Sequence, residues 1–174
     1  MHIRRLRPDD ADVERFVTEL WIPYHRDLSA AVADHAIVEN DDLVDDVTTF
    51  TLDQLDSPDV YLWIAVDGAS DPFARLAETD GTFAGFLLGA VEASPSTFTW
   101  PDRFVIGDVY VREDDRGTGL ADRLVERAAN QAREEGCSEL ALDVDRDNER
   151  ALGFYEKLGF EPARHRMRLP VEEL

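Results

Sequence analysis

Six consecutive residues, Arg116-Gly117-Thr118-Gly119-Leu120-Ala121, follow the apolar run Val109-Tyr110-Val111 and precede a long amphipathic segment. This pattern reads as a strand, a glycine turn and a helix start. The first N–H groups of a helix have no intrahelical partner and sit at the positive end of its dipole, so a helix start holds anions. Gly117 and Gly119 put no Cβ in the way of a phosphate approaching those groups. No Gly-Lys-Ser/Thr follows, which excludes a Walker loop, and a third glycine at dinucleotide spacing is missing. Taken alone, the turn is either a structural helix start or an anion cradle.

The elements around it narrow the choice. Leu120, Leu124, Val125, Ala128, Ala129 and Ala132 form one apolar stripe, and Gly136 supplies a C-terminal cap. Leu140 to Val144 then reads as a strand, so strand, helix and strand make a βαβ unit whose two strands run parallel. Ligands in such units bind at the C-terminal strand ends, here Val109 to Val111 and Asp143 to Asp145. Asp147 or Asn148 caps a further helix with Ala151, Leu152, Tyr155 and Leu158 inward; Gly159 closes it and Phe160 makes the capping contact. Arg164 to Leu169 alternates like a last strand.

Upstream, Ile3 to Arg7 reads as an edge strand. A helix capped by Asp9 or Asp10 carries Val13, Phe16, Val17, Leu20 and Trp21 and is expected to stop at Pro23. Residues 24 to 40 have no clear period. A second helix begins near Asp41 or Asp42 and ends near Ser57-Pro58. Val60 to Val66 and Thr82 to Val91 are strands, the latter central because it is almost continuously apolar. Between them, a helical turn is expected around Phe73 to Ala77. Phe104 to Val111 follows after the Ser94 to Pro101 loop, antiparallel to its predecessor. The expected fold is one α+β domain over residues 1–174, a three-layer arrangement around a mixed, mainly antiparallel sheet.

The stretch from 104 to 160 resembles the cofactor-binding half of the GNAT-type N-acetyltransferases. Their Gln/Arg-x-x-Gly-x-Gly/Ala signature is met by Arg116, Gly119 and Ala121. Their Asn-x-x-Ala-x-x-Phe-Tyr-x-x-x-Gly-Phe pattern is met by Asn148, Ala151, Phe154, Tyr155, Gly159 and Phe160. The opening IRRLRPDDAD is similar to the family's first strand and helix. The resemblance implies that the parallel strands splay to bind acetyl-CoA. The N–H groups of Arg116, Gly117, Thr118, Gly119, Leu120 and Ala121 would hold its pyrophosphate. Val109, Tyr110 and Val111 would pair with the pantetheine arm and offer an N–H to the oxyanion. It further implies an amine acceptor attacking the thioester directly, with no metal. Tyr155 matches the general acid that protonates the thiolate, its alternative role being core packing. Asn148 either hydrogen-bonds the cofactor arm or simply caps its helix.

The base is open among Asp108, Glu92 and a water chain. Trp21, Tyr24 and Trp100 are candidate acceptor contacts, within walls formed by residues 21 to 58 and 92 to 103. His25 and His35 lie in the region expected to face substrate. An acyl-CoA-binding module without catalysis is the alternative from another class; an unrelated nucleotide-binding α/β domain would need a continuous parallel sheet.

Composition limits the rest. At 174 residues and 44% hydrophobic the chain is long and apolar enough for a proper core. Cys137 is the only cysteine, which excludes an intrachain disulfide and suits core filling. With no signal-peptide core and no spanning run, a cytoplasmic protein is expected. An exposed edge such as Arg164 to Leu169 could pair two copies into a homodimer. There are 38 acidic residues against 18 basic ones, and Lys157 is the sole lysine. A net charge of −20 disfavours nucleic acid and anionic membrane as partners. The dispersed acids resemble a surface adapted to strong salt, where screening relieves self-repulsion. The melting temperature is therefore expected to rise between low and molar salt, and a thermal scan showing no rise would refute that adaptation.

Overall fold

A computed structural model describes residues 1–173. Its five strands are β1 (His2–Arg5), β2 (Val60–Asp67), β3 (Thr82–Glu92), β4 (Arg103–Val111) and β5 (Glu139–Leu142). They form one sheet in sequence order, antiparallel except for the parallel β4–β5 pair. β3 is central, as its apolar run requires. The helices are α1 (Asp10–Phe16), α2 (Ile22–Ala31), α3 (Leu43–Leu55), α4 (Leu120–Glu134) and α5 (Glu149–Lys157). The chain divides into two compact units, residues 1–143 and residues from 144 onward.

Within the first unit, one core packs α1, α2 and α3 on the sheet. Phe16, Val17, Leu20 and Ile22 meet Leu62, Ile64, Phe83 and Phe86, joined by Val47 and Leu55 of α3. Phe16 and Phe86 meet edge to face, with centroids 5.0 Å apart. On the opposite face, Leu124, Val125 and Ala128 of α4 are buried with Trp63 and Phe104. α4 ends as expected: Gly136, at φ +75°, donates its N–H to Arg133 O, and Cys137 donates to Ala132 O. Burial pushes the Cys137 thiol up, consistent with an inert filler.

Three expectations need correction. Pro23 does not end the first helix. A π-helical turn, Val17–Trp21, follows α1, with Ile22 N–H donating to Val17 O, and α2 runs on to Ala31 with Pro23 in its first turn. The π turn accommodates it: Ile22 N–H reaches back five residues to Val17 O, so Pro23, which has no N–H to give, enters where the helical ladder is already widened. Between β2 and β3 the helical turn lies two residues later than expected: Thr79 N–H donates to Arg75 O at 2.9 Å, after a turn at Asp71–Ala74, and no regular helix forms. Arg164 to Leu169 forms no strand; the segment is exposed and irregular. Alternation alone makes no strand without a ladder partner.

In the second unit, α5 closes through Gly159 at φ +91°. Gly159 N–H donates to Glu156 O and Phe160 N–H to Tyr155 O, and the Phe160 ring meets Tyr155 at 5.4 Å. No helix among the described residues is long and apolar enough to cross a membrane.

Two glycines at the centre of the sheet differ in what they tolerate. A Cβ on Gly85 would collide with the backbone oxygen of Tyr110, whereas one on Gly107 would meet only Leu88 O at 3.6 Å. Gly85→Ala should destabilise the protein by about 1–3 kcal/mol. Gly107→Ala should stay within about 0.5 kcal/mol of wild type. Denaturant unfolding of the pair checks both values.

Candidate active site

β4 is paired on both sides over only half its length. Arg103 to Ile106 face Glu139 to Leu142 of β5, which ends there. Past Ile106, among the described residues, β4 has a strand partner only in β3. Arg112 N–H donates to Ala84 O at 2.9 Å across that ladder. Antiparallel pairs alternate, so Tyr110 and Asp108 also turn their backbone groups to β3. The N–H and C=O groups of Val109 and Val111 then point to the open edge. The sequence-derived splay of the parallel pair is present.

The register also slips by one residue. Leu88 pairs with Asp108, but Gly89 pairs with Ile106, leaving Gly107 as a β-bulge. A bulge reverses the alternation of faces. Ile106 is buried, while Asp108, two residues later, reaches Tyr24 of α2 on the helical face bearing α1 to α3.

Beyond Val111 a short 3-10 turn, Glu113–Asp115, leads into the glycine turn. Gly117 and Gly119 have φ of +75° and +81°, the left-handed region that favours glycine, and the space beside each is open. Gly119 is the N-cap of α4, so no side chain covers the first N–H groups of the helix. Leu120 anchors the turn; its side chain is buried, which leaves only its backbone for a ligand. Thr118 Oγ1 donates to Asp115 O at 2.6 Å. Arg116 does not point freely outward: its Nε donates to Val111 O at 3.0 Å, and its Nη2 pairs with Asp27 of α2 at 2.7 Å.

Tyr24 hydroxyl donates to Asp108 Oδ1 at 2.9 Å. Burial pushes the Asp108 carboxyl above its ordinary range, opposed by the Tyr24 hydrogen bond and by the charges of His25 and His35. Burial in turn lowers His25; Asp108 acts against that shift and His35 with it. The Tyr24 ring lies 4.8 Å from His25, 5.6 Å from Phe86 and 5.7 Å from Tyr110, and His25 lies 4.0 Å from Trp21. Tyr24, His25 and Asp108 are thereby gathered at the bulge.

Glu92 and Trp100 are not part of this group. Glu92 pairs with Arg103 at the far end of the strands, five positions and about 17 Å along β4 from Asp108. Trp100 stacks on Phe98 at 4.5 Å in the loop entering that far end. Sequence reasoning missed Asp27 altogether, because its link to Arg116 needs the helix to continue past Pro23.

In the second unit Asn148 caps α5, its Oδ1 accepting from Ala151 N–H at 3.1 Å. The capping role is thus occupied by one end of the carboxamide. Tyr155 is half-buried between Phe154 and Phe160, at 5.2 and 5.4 Å. Among the described residues no three His, Cys, Asp or Glu side chains group as a metal site would require.

Residues 38–160 match the acetyltransferase (GNAT) family. A mycothiol acetyltransferase of Kocuria rhizophila is 37% identical over 90 residues, 44% of this chain and 30% of that protein. A streptothricin acetyltransferase of Streptomyces lavendulae is 37% identical over 81 residues, 47% of this chain and 40% of that protein. A thialysine N-epsilon-acetyltransferase of Bos taurus is 37% identical over 62 residues, 35% of this chain and 36% of that protein. The chain thus matches well under half the length of these curated relatives. Among solved structures, the BH1408 protein of Bacillus halodurans, in a tetramutant form, superposes with a TM-score of 0.75 at 20% identity, covering 98% of this chain and 100% of that one. An aminoglycoside N-acetyltransferase, AAC(6')-Iy, in complex with CoA gives 0.65 at 16% identity, covering 97% and 93%. Both likenesses concern the fold. The match over residues 38–160, with the splayed β4 and glycine turn inside it, shows that the chain belongs to the GNAT family of acetyltransferases.

Proposed function

We propose that the protein transfers the acetyl group of acetyl-CoA to a primary amine of a small molecule, peptide or protein, both substrates being bound together. The observation that carries this is the bulge at Gly107. It turns the backbone groups of Val109 and the N–H of Val111 away from β3, Val111 O being taken by Arg116, and turns Asp108 toward α2. The thialysine relative is named for acetyl transfer to an amino group, and the aminoglycoside acetyltransferase neighbour is described with CoA. Both units are taken to act as one catalytic domain, because the family match runs across residue 143.

Acetyl-CoA fits the residues present. It supplies an activated acyl group, a pyrophosphate and a run of amides. The open N–H groups at the α4 start suit the pyrophosphate, and the exposed β4 edge suits the amides. An N–H of the Val109 to Val111 stretch stabilises the charge that develops on the thioester oxygen. Asp108, ionised, takes a proton from the incoming ammonium, so that the neutral nitrogen can form the C–N bond as the C–S bond breaks, the acylated nitrogen then losing its extra proton to water. Tyr155 returns a proton to the departing sulfur, a role assigned from its place in the Asn148 to Phe160 motif. Holding both reactants in line supplies much of the remaining acceleration.

Asp108→Asn should lower kcat about 10²-fold or more. Rate should rise with pH as the wild-type carboxyl ionises, along a limb above the reference value of about 3.9, and the variant should lack that limb. The linkage sign gives a second readout. A folded-state pKa raised by burial favours folding at acid pH and is lost as pH rises through it. Asp108→Asn should therefore raise Tm at neutral pH, with the gain vanishing in acid. Unchanged turnover in this variant would assign the base to water.

Tyr155→Phe should cost about 10²-fold in kcat with acetyl-CoA affinity retained; a full-rate variant would remove Tyr155 as the acid. Thiol release from acetyl-CoA, measured across a panel of amines, tests the whole reading. CoA binding without release by any amine would favour the non-catalytic binding module.

A further inference from the structure

One ion pair joins the glycine turn to the helix layer. Asp27 lies one turn after Tyr24 on α2, so the same helix reaches both Asp108 on β4 and Arg116 beyond the strand's end. Tyr24 bonds Asp108 at the bulge, and Asp27 Oδ2 takes Arg116 Nη2 at 2.7 Å. The Tyr110 hydroxyl donates to the same Asp27 oxygen at 3.4 Å. Arg116 is held from its other side by Nε on Val111 O. The guanidinium that opens the turn is thus fixed between the strand end and α2, and two of its donor positions are already committed.

From this geometry we infer that Asp27 is a positioning residue for the cofactor: through Arg116 it aligns the turn whose N–H groups receive the pyrophosphate. The inference rests on the CoA reading above. It has a definite sign. Asp27 is an anion beside the first residue of an anion-binding turn. If it acted only through its field, Asp27→Asn would relieve repulsion, release the charge of Arg116, and tighten CoA binding. If it acts by alignment, the same change must weaken binding.

The size follows from exposure. The Asp27 side chain is 51% exposed and that of Arg116 26%, so the pair is a partly screened one. A loss of about two- to fivefold in CoA affinity is expected for Asp27→Asn, the range of such pairs. Pantetheine, which has the amides and lacks the pyrophosphate, should bind Asp27→Asn and wild type equally. In an Arg116→Gln background, Asp27→Asn should cause no further loss, because the strut is already gone.

Titration calorimetry with CoA and pantetheine on the full chain gives all of these numbers. Tighter or unchanged CoA binding by Asp27→Asn overturns the inference. So does an equal loss for CoA and pantetheine, which would mean a general loosening of the fold. So does an undiminished effect of Asp27→Asn beside Arg116→Gln. A wild-type protein that binds no CoA would overturn the cofactor reading itself, and is told apart from the other failures by needing no variant.

Discussion

One extra residue in β4 sets the chemistry that the site can hold. A strand without a bulge would keep Ile106 and Asp108 on the same face, and Asp108 would then face the apolar contacts under α4. With Gly107 unpaired, the carboxylate passes to the side of α1 and α2, where Tyr24 can donate to it. The bulge bends the strand and adds twist just where β5 runs out at Leu142. A free backbone edge and a partly buried carboxylate are thus consequences of one irregularity. Gly85, farther along β3 opposite Val111, marks the limits of this freedom. There the backbone of Tyr110 approaches so closely that any side chain would collide.

The helix layer answers that irregularity with one of its own. Pro23 in an uninterrupted α-helix would remove a hydrogen bond and press its ring against the carbonyl of Glu19. The wider π turn over Val17–Trp21 takes the chain past this position without ending the helix. Such turns are common at functional sites because they re-aim the side chains beyond them. The side chains re-aimed in this helix are Tyr24, His25 and Asp27, and they meet Asp108 and Arg116. An earlier stop would have left these residues on a loop, with no rigid turn-to-turn spacing between Tyr24 and Asp27.

Local signals were readable wherever a residue's own chemistry decides its conformation. Gly136 and Gly159 close α4 and α5 because positive φ is inexpensive only for glycine, and the strand–helix–strand unit follows from the periods on either side of Arg116 to Ala121. Features decided by a distant partner were not. Proline reads as a helix stop, and only the packing of α2 on the sheet shows otherwise. Arg164 to Leu169 has the alternation of a strand but no ladder. Asp108 stood ahead of Glu92 as the candidate base, and the register separates them, pairing Asp108 with Leu88 in mid-ladder and Glu92 with Arg103 at the strand end. Gly107 was a visible hint, since glycine inside a strand often marks a bulge. Its effect on Asp108 still depends on which residue it skips.

The charge of the chain sharpens what the glycine turn must do. Glu113, Asp114 and Asp115 precede it and Asp122 comes just after it, in a chain of net charge −20, and the nearest arginine is already paired. A long-range field from such a surface repels a polyanion. At molar salt that field decays over about 3 Å, while N–H groups acting at contact keep their strength. In the proposed reading, recognition of a pyrophosphate is then left to donors that must be correctly placed, since attraction at a distance cannot compensate for poor aim. Under that constraint, an acidic residue that aligns the turn is worth more than the repulsion it adds. This is the physical reason an aspartate can stand behind an anion site.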